Sequence, residues 1–340
     1  MDLLNAMQEA LSHHRIYLSW QQTKVYSNMV TCHTLERGGR ILECPECGSR
    51  MVSYNPCNQR GCPSCGKKNQ LIWQAQAQKR LLQTSHNHIV FSPPEEWITK
   101  WFEEPADSIN ELLAIVSKAM KEYIAHIGLA MGYVLVFQSH GKGLCYKPHV
   151  HCILTAGGID ERKKWKTHNT VMTNYLETLL DGTWKVHTEL HKDTPNRIVG
   201  YLGKAVHGLP IDIEHDVQED REKKTVTIVD NHCGEDRIST LPVLVFLERY
   251  LNHIPPSHVV TIRYYGLYSN RHADDLKEIR SQIPSVGKPE HVEGILAICK
   301  KCDKPMSICF EFEEKEGRAY LKTIGYMNSS PKHGEIIHAA

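Results

Sequence analysis

His149 and His151, in the stretch "CYKPHVHCILTAGG", are spaced for metal chemistry. In a β-strand, residues two apart point the same way. Both imidazoles could then face one divalent cation, with Val150 turned into a core. Two ligands do not hold an ion, so a third must come from elsewhere. The upstream segment "YVLVFQSH" reads as a strand that would pair with 149–154 as a hairpin. Gln138 and His140 share one of its faces by alternation, and either could reach the ion. A carboxamide oxygen suits a hard cation such as Mg2+ or Mn2+. The same His-x-His spacing recurs at His86 and His88, in a poorer setting at the beginning of a strand. Tyr201, in "TPNRIVGYLGKAVHG", falls mid-helix with Lys204 one turn later. On its own it reads first as a core tyrosine.

Cysteines form the other chemical group. The chain has twelve, six of them between positions 32 and 65 and three between 299 and 309. "CPECG" at 44–48 recurs as "CPSCG" at 62–66. Each is a knuckle that turns two thiolates toward one ion, and two knuckles complete a tetrahedral site. Cys44, Cys47, Cys62 and Cys65 are therefore the expected ligands of one structural Zn2+. Cys32 and Cys57 are left over, and either could replace a named ligand or join His14 or His33 at a second site. Cys299, Cys302 and Cys309 make a half site without an evident second pair. Arg60, Lys67 and Lys68 surround the second knuckle, where they could meet phosphates or form a solvated face.

These residues need elements to hold them. "KKNQLIWQAQAQKRLLQ" reads as a helix leaving the cysteine module, and "HIVFSPP" as a strand stopped by Pro93 and Pro94. "SINELLAIVSKAMKEYIAHIG" has helical apolar spacing and ends at a glycine. Thr194 is a candidate N-cap for the Tyr201 helix, with Pro195 at its first position and Gly208 at its end. "KTVTIVD" and "HVVTIRYYG" read as strands, and "LPVLVFLERYLNHI" as a helix. The imperfect alternation points to an α+β fold rather than a doubly wound one. The expected domains are a zinc-binding module over 1–80, the main sheet domain over 81–285 and a C-terminal extension over 286–340.

Composition is that of a soluble globular protein. With no apolar stretch of signal-peptide or membrane-spanning length, the expected location is the cytoplasm. The net charge of +1 argues weakly against nucleic-acid binding as a bulk property. Locally the balance differs: residues 36–80 are basic, and 211–222 are mostly acidic.

The anchors "YNPCNQRGCPSCG", "KPHVHCILTAGGI", "IVGYLGKAVHG" and "FLERYLNHIPPSHVVTIRYYGLYSN", in that order, give the chain a more specific likeness. It resembles the rolling-circle insertion-sequence transposases of the HUH nuclease superfamily that carry an N-terminal zinc-binding domain. The likeness covers nearly the whole chain. It implies an HUH-type antiparallel sheet flanked by helices, an N-terminal four-cysteine zinc module, and a metal that polarises a scissile phosphate. It also implies that Tyr201 attacks that phosphate, leaving a 5′-phosphotyrosine on single-stranded DNA. The interval from Gln138 to His149 matches the third-ligand spacing of related relaxases. Many relatives have a second tyrosine four residues on, where this chain has Ala205, so a single-nucleophile variant is implied. A non-catalytic zinc protein that binds nucleic acid, and a replication initiator or relaxase, are the competing readings.

Overall fold

The computed structural model describes residues 18–141, 144–192, 195–207, 211, 217–220, 222–232, 235–283, 297–315 and 318–322. Thr194, Gly208 and His14 lie outside the described residues. The chain divides into two compact units, one built from 1–65 with 291–340 and the other from 66–290. It is a mixed α/β protein with antiparallel sheets flanked by helices and an N-terminal cysteine module.

The first unit opens with a helix, Trp20–Val30. Ser19 caps it and exchanges hydrogen bonds with Gln22 in a capping box. A hairpin follows, Gly39–Glu43 against Arg50–Tyr54. Gly38, with φ of 66°, leads into it, and a Cβ there would stand 2.4 Å from the Phe312 carbonyl oxygen. That near contact comes from the far end of the chain. Ser307–Lys315 pairs antiparallel with Gly39–Glu43, and Arg318–Lys322 completes a four-stranded sheet. The described part of the expected C-terminal extension is therefore not a separate element. Its strand satisfies the open edge of the N-terminal hairpin, which would otherwise present unpaired backbone groups.

The second unit is built on a five-stranded antiparallel sheet. Its order is Ile262–Gly266, Gly132–His140, Tyr146–Thr155, His86–Ser92, Lys185–His191. Alternation sorts the central strands. Tyr133, Leu135, Phe137, Val150, Cys152 and Leu154 face one layer, with Leu112, Val116 and Met120 of the helix Pro105–Ile127. Val134, Val136 and Ile153 face the other, with Ile198, Leu202 and Ile279 from two helices and Leu81 just past the end of the Pro63–Arg80 helix. Helices on both faces explain why "YVLVF" is continuously apolar rather than alternating. The long helix ends where Gly128 turns left-handed, φ 74°, and its N–H returns to the Ile124 carbonyl.

Two fully packed histidines make the second unit acid-sensitive. His86 accepts from the Tyr268 hydroxyl at 2.7 Å and donates through Nδ1 to the Thr84 carbonyl. His253 donates to the Leu144 carbonyl at 3.0 Å. Burial pushes both pKa values from 6.5 down to about 4. The unfolded chain binds protons first, so stability is complete above 6.5 and falls as pH drops toward 4. Each histidine contributes a slope of about 1.4 kcal/mol per pH unit across that window. A melting temperature that stays level from about pH 7.5 to about pH 5 would contradict this linkage.

Candidate active site and metal centres

The second unit gathers its polar side chains on the sheet face that also carries Val136 and Ile153. The hairpin register sets Gln138 opposite His149 and Val136 opposite His151. His149 Nε2 and His151 Nε2 stand 3.1 Å apart, and Gln138 Oε1 is 2.9 Å from His151 Nε2. The far atoms of each group are tied. His149 Nδ1 donates to the Lys147 carbonyl at 2.6 Å, and Gln138 Nε2 donates to the His140 carbonyl at 3.0 Å. His151 Nδ1 meets His88 Nε2 at 2.9 Å. With Nδ1 as the donor there, three lone pairs converge and no proton lies between them. A cation resolves that repulsion, so the donor set fits a divalent metal. Burial keeps the imidazoles in the neutral, ligating form. It lowers the His149 pKa and lowers that of His151 well below its usual value, with neighbouring His149 and His88 adding to the latter.

The His140 ring turns its Nδ1 to the Ser139 hydroxyl rather than to Gln138 or the paired histidines. The strand register slips between Gln138 and His140, which pairs His140 with Tyr146. The Tyr146 hydroxyl bonds Trp101 of the opposite layer, and the His140 ring lies 5.2 Å from that of His253. The bulge breaks the alternation on which His140 rested as a ligand. His88 is the residue that sequence reasoning undervalued. Its strand pairs with the His149–His151 strand across 63 residues of sequence, a partnership no local pattern reveals. His88 also forms a candidate ligand group with Glu189 and His191. Burial, then His191, pushes its pKa down to about 4.

Tyr201 stands over this cluster. Its helix, Asn196–His207, buries Ile198, Val199, Leu202 and Val206 against the sheet. Tyr201 falls at the margin of that face and is 59% exposed, so it is not a core residue. Its ring centroid is 5.7 Å from that of His88 and 6.0 Å from that of His151. The helix is held by the Pro63–Arg80 helix, where Gln74 donates to the Gly200 carbonyl at 3.1 Å. At Gly203 a Cβ would meet Gln74 Nε2 at 2.5 Å, so glycine permits the approach. The side chains of Lys204 and Ala205 lie outside the described residues. The other candidate tyrosines serve packing. Tyr250 is 2% exposed, Tyr264 lies under the Arg80 guanidinium at 3.9 Å, and Tyr265 stacks on Tyr133. Trp73 is buried.

In the first unit the cysteines regroup. Cys44, Cys47, Cys62 and Cys65 do not share a site. Cys32, Cys57, Cys62 and Cys65 form one cluster, and Cys44, Cys47, Cys299 and Cys302 form another. The hairpin separates them. Cys44 and Cys47 occupy its tip beyond Glu43 and Arg50, whereas Cys57 follows Tyr54 at the other end. Five residues of strand set the two ends roughly 15 Å apart. In the first cluster Cys32 Sγ and Cys65 Sγ are 3.4 Å apart, and Cys57 Sγ and Cys65 Sγ 3.7 Å. Hydrogen bonding, chiefly from Cys62, pulls Cys57 down to about 5, toward the thiolate that binds metal. His33 instead directs Nδ1 to the Tyr54 carbonyl, and Cys309 faces the Glu43 carboxylate. Lys67 and Lys68 are exposed, but Arg60 is half-buried, and burial lowers its pKa.

The family described as "Transposase zinc-binding domain" matches residues 3–93, and that described as "Putative transposase" matches 132–179 and 167–275. The chain is 23% identical over 326 residues to "Putative transposase y4qJ" of Sinorhizobium fredii, covering 80% of this chain and 81% of that one. It is 26% identical over 298 residues to "Transposase for insertion sequence element IS801" of Pseudomonas savastanoi pv. phaseolicola, covering 74% and 71%. No solved structure matches it. No helix among the described residues is long and apolar enough to cross a membrane.

Proposed function

We propose that this chain, which matches a transposase zinc-binding family over 3–93 and a putative-transposase family over 132–275, is a transposase that cuts and rejoins single DNA strands through Tyr201. The observation that carries the reading is an exposed tyrosine whose ring centroid lies 6.0 Å from that of His151, beside the converging His149 Nε2, His151 Nε2 and Gln138 Oε1. His149, His151 and Gln138 would hold Mg2+ or Mn2+. When bound, such an ion withdraws charge from the scissile phosphate and orients it. His149 and Gln138 are pre-aimed by the carbonyls of Lys147 and His140. His88 positions His151 through Nδ1.

Tyr201 Oη attacks phosphorus as the bond to the DNA 3′-oxygen breaks. The phenolic proton is lost to solvent, and the departing oxygen takes up a proton to become a 3′-hydroxyl. The phosphate remains as a 5′-phosphotyrosine, which keeps the energy of the broken bond. A 3′-hydroxyl attacking that phosphorus reverses the step, so rejoining consumes no nucleotide. With Ala205 at the position of a second tyrosine, each site forms one covalent bond at a time. The DNA is single-stranded, as rolling-circle transposition requires, and Lys67, Lys68, Lys204 and Arg60 are proposed to contact its phosphates. The site of action is then the DNA of the cytoplasm. The Cys32, Cys57, Cys62 and Cys65 cluster holds the structural Zn2+ of the N-terminal domain.

Incubating the protein with single-stranded element ends and Mg2+ or Mn2+ tests this directly. The expected product is a covalent protein–DNA band. In His149→Ala that band should fall on the order of 1000-fold, with DNA binding nearly unchanged, because several kcal/mol of charge stabilisation are lost. Gln138→Ala should raise the metal concentration needed by about 10-fold or more. Absence of any adduct with the parental protein would favour a non-catalytic nucleic-acid-binding role.

A further inference from the structure

We propose that Cys44, Cys47, Cys299 and Cys302 bind a second structural zinc that clasps the C-terminal segment to the N-terminal sheet. Half of these ligands lie far outside residues 3–93, the span matched by the zinc-binding family.

The two halves of the site are built alike. In Cys44–Ser49 the Gly48 N–H donates to the Cys44 carbonyl at 2.9 Å, and the Cys44 N–H donates to the Ser49 carbonyl at 2.9 Å. In Cys299–Lys304 the Asp303 N–H donates to the Cys299 carbonyl at 2.9 Å, and the Cys299 N–H donates to the Lys304 carbonyl at 2.9 Å. The residue after the second cysteine is left-handed in both, with φ of 68° at Gly48 and 52° at Asp303. Glycine adopts that conformation freely, and aspartate is among the few other residues that visit it. "CKKCD" thus takes the same turn as "CPECG" without its proline and glycine. Such a turn aims two thiolates at one point, and here two turns face each other.

The sulfur spacing separates a metal site from a redox pair. Cys44 Sγ to Cys302 Sγ is 3.4 Å, Cys47 Sγ to Cys299 Sγ 3.6 Å, and Cys47 Sγ to Cys302 Sγ 3.7 Å. Zn–S bonds of about 2.3 Å set the sulfurs of a tetrahedron about 3.8 Å apart, close to these values. A disulfide would require about 2.05 Å. Cys44 and Cys299 are buried at the centre, with Cys47 and Cys302 on the outside. The sheet register reaches the same result independently. Glu43, just before Cys44, pairs with Ser307, five residues beyond Cys302, and an Ile298–Pro305 bridge closes the second turn.

The ligands are separated by 252 residues or more, with the whole second unit between them. The site therefore cannot form on a growing chain until the C-terminal segment has been made. It turns that segment from a tail into part of the N-terminal unit.

Metal content of the full chain, purified without chelator, tests the proposal. Two zinc ions per chain are expected, with one in the Cys299→Ser/Cys302→Ser double variant and two in Cys309→Ser, altered in the same segment. Trypsin should release the C-terminal segment from the double variant at least 10-fold faster than from the parent. Should the double variant fold poorly, cobalt substitution of the parent decides. Thiolate-to-cobalt absorption should saturate at two equivalents per chain. One zinc or one cobalt per parental chain, or two zinc ions retained by the double variant, overturns the site.

Discussion

Tyr201→Phe is expected to abolish the covalent protein–DNA adduct while leaving the fold and DNA affinity as they were. The substitution removes one oxygen from a side chain that is 59% exposed. Surface changes of that kind shift stability by only about 0.5 kcal/mol. The helix keeps Ile198, Val199, Leu202 and Val206 in the core and its backbone tie to Gln74. Losing a covalent nucleophile, by contrast, lowers cleavage by on the order of 10,000-fold or more. A phenylalanine ring retains the edge contacts to His88 and His151, so a structural role for Tyr201 would leave cleavage largely intact. Mass spectrometry of a trapped adduct adds a second check. A DNA-linked peptide containing Tyr250 or Tyr264 would overturn the assignment, although the first is 2% exposed and the second is covered by Arg80.

The second large effect concerns Cys62. Cys62→Ser should lose the zinc of the Cys32, Cys57, Cys62 and Cys65 cluster and unfold the N-terminal unit. A structural zinc contributes about 10–16 kcal/mol at pH 7, as much as the whole stability of a typical domain. Cys62 is fully buried, and its three partners come from the end of the Trp20–Val30 helix, the loop after Tyr54 and the start of the Pro63–Arg80 helix. Without the ion nothing comparable gathers those segments. A strong chelator should reproduce the effect, and acid should too as thiolates are protonated. The second unit has its own two-sided core, so a distinct melting transition should survive. An unchanged zinc content, or a melting curve matching the parent's, would falsify the ligand assignment.

Several elements were legible from local pattern alone. Strand alternation put His149 and His151 on one face and Val150 on the other, and the hairpin delivered Gln138 opposite His149. The same rule failed two residues later at His140, because a bulge shifts the register in a way that residue types do not announce. Helical spacing located the Asn196–His207 helix, yet whether Tyr201 faced the core or the solvent depended on which neighbours covered it.

The sequence by itself determined the local geometry: which residues form knuckles, which share a strand face, and which helix carries the tyrosine. Such features follow from backbone periodicity over a few residues. Tertiary structure alone decided the partnerships. His88 joined His151 through a strand pairing across 63 residues, and Cys44 and Cys47 left Cys62 and Cys65 for Cys299 and Cys302. The reason is geometric. A knuckle specifies that two thiolates converge, but the partner pair is set by which strand fills a sheet edge and by the length of hairpin between candidates. Those are properties of the folded chain, and no spacing along the sequence records them.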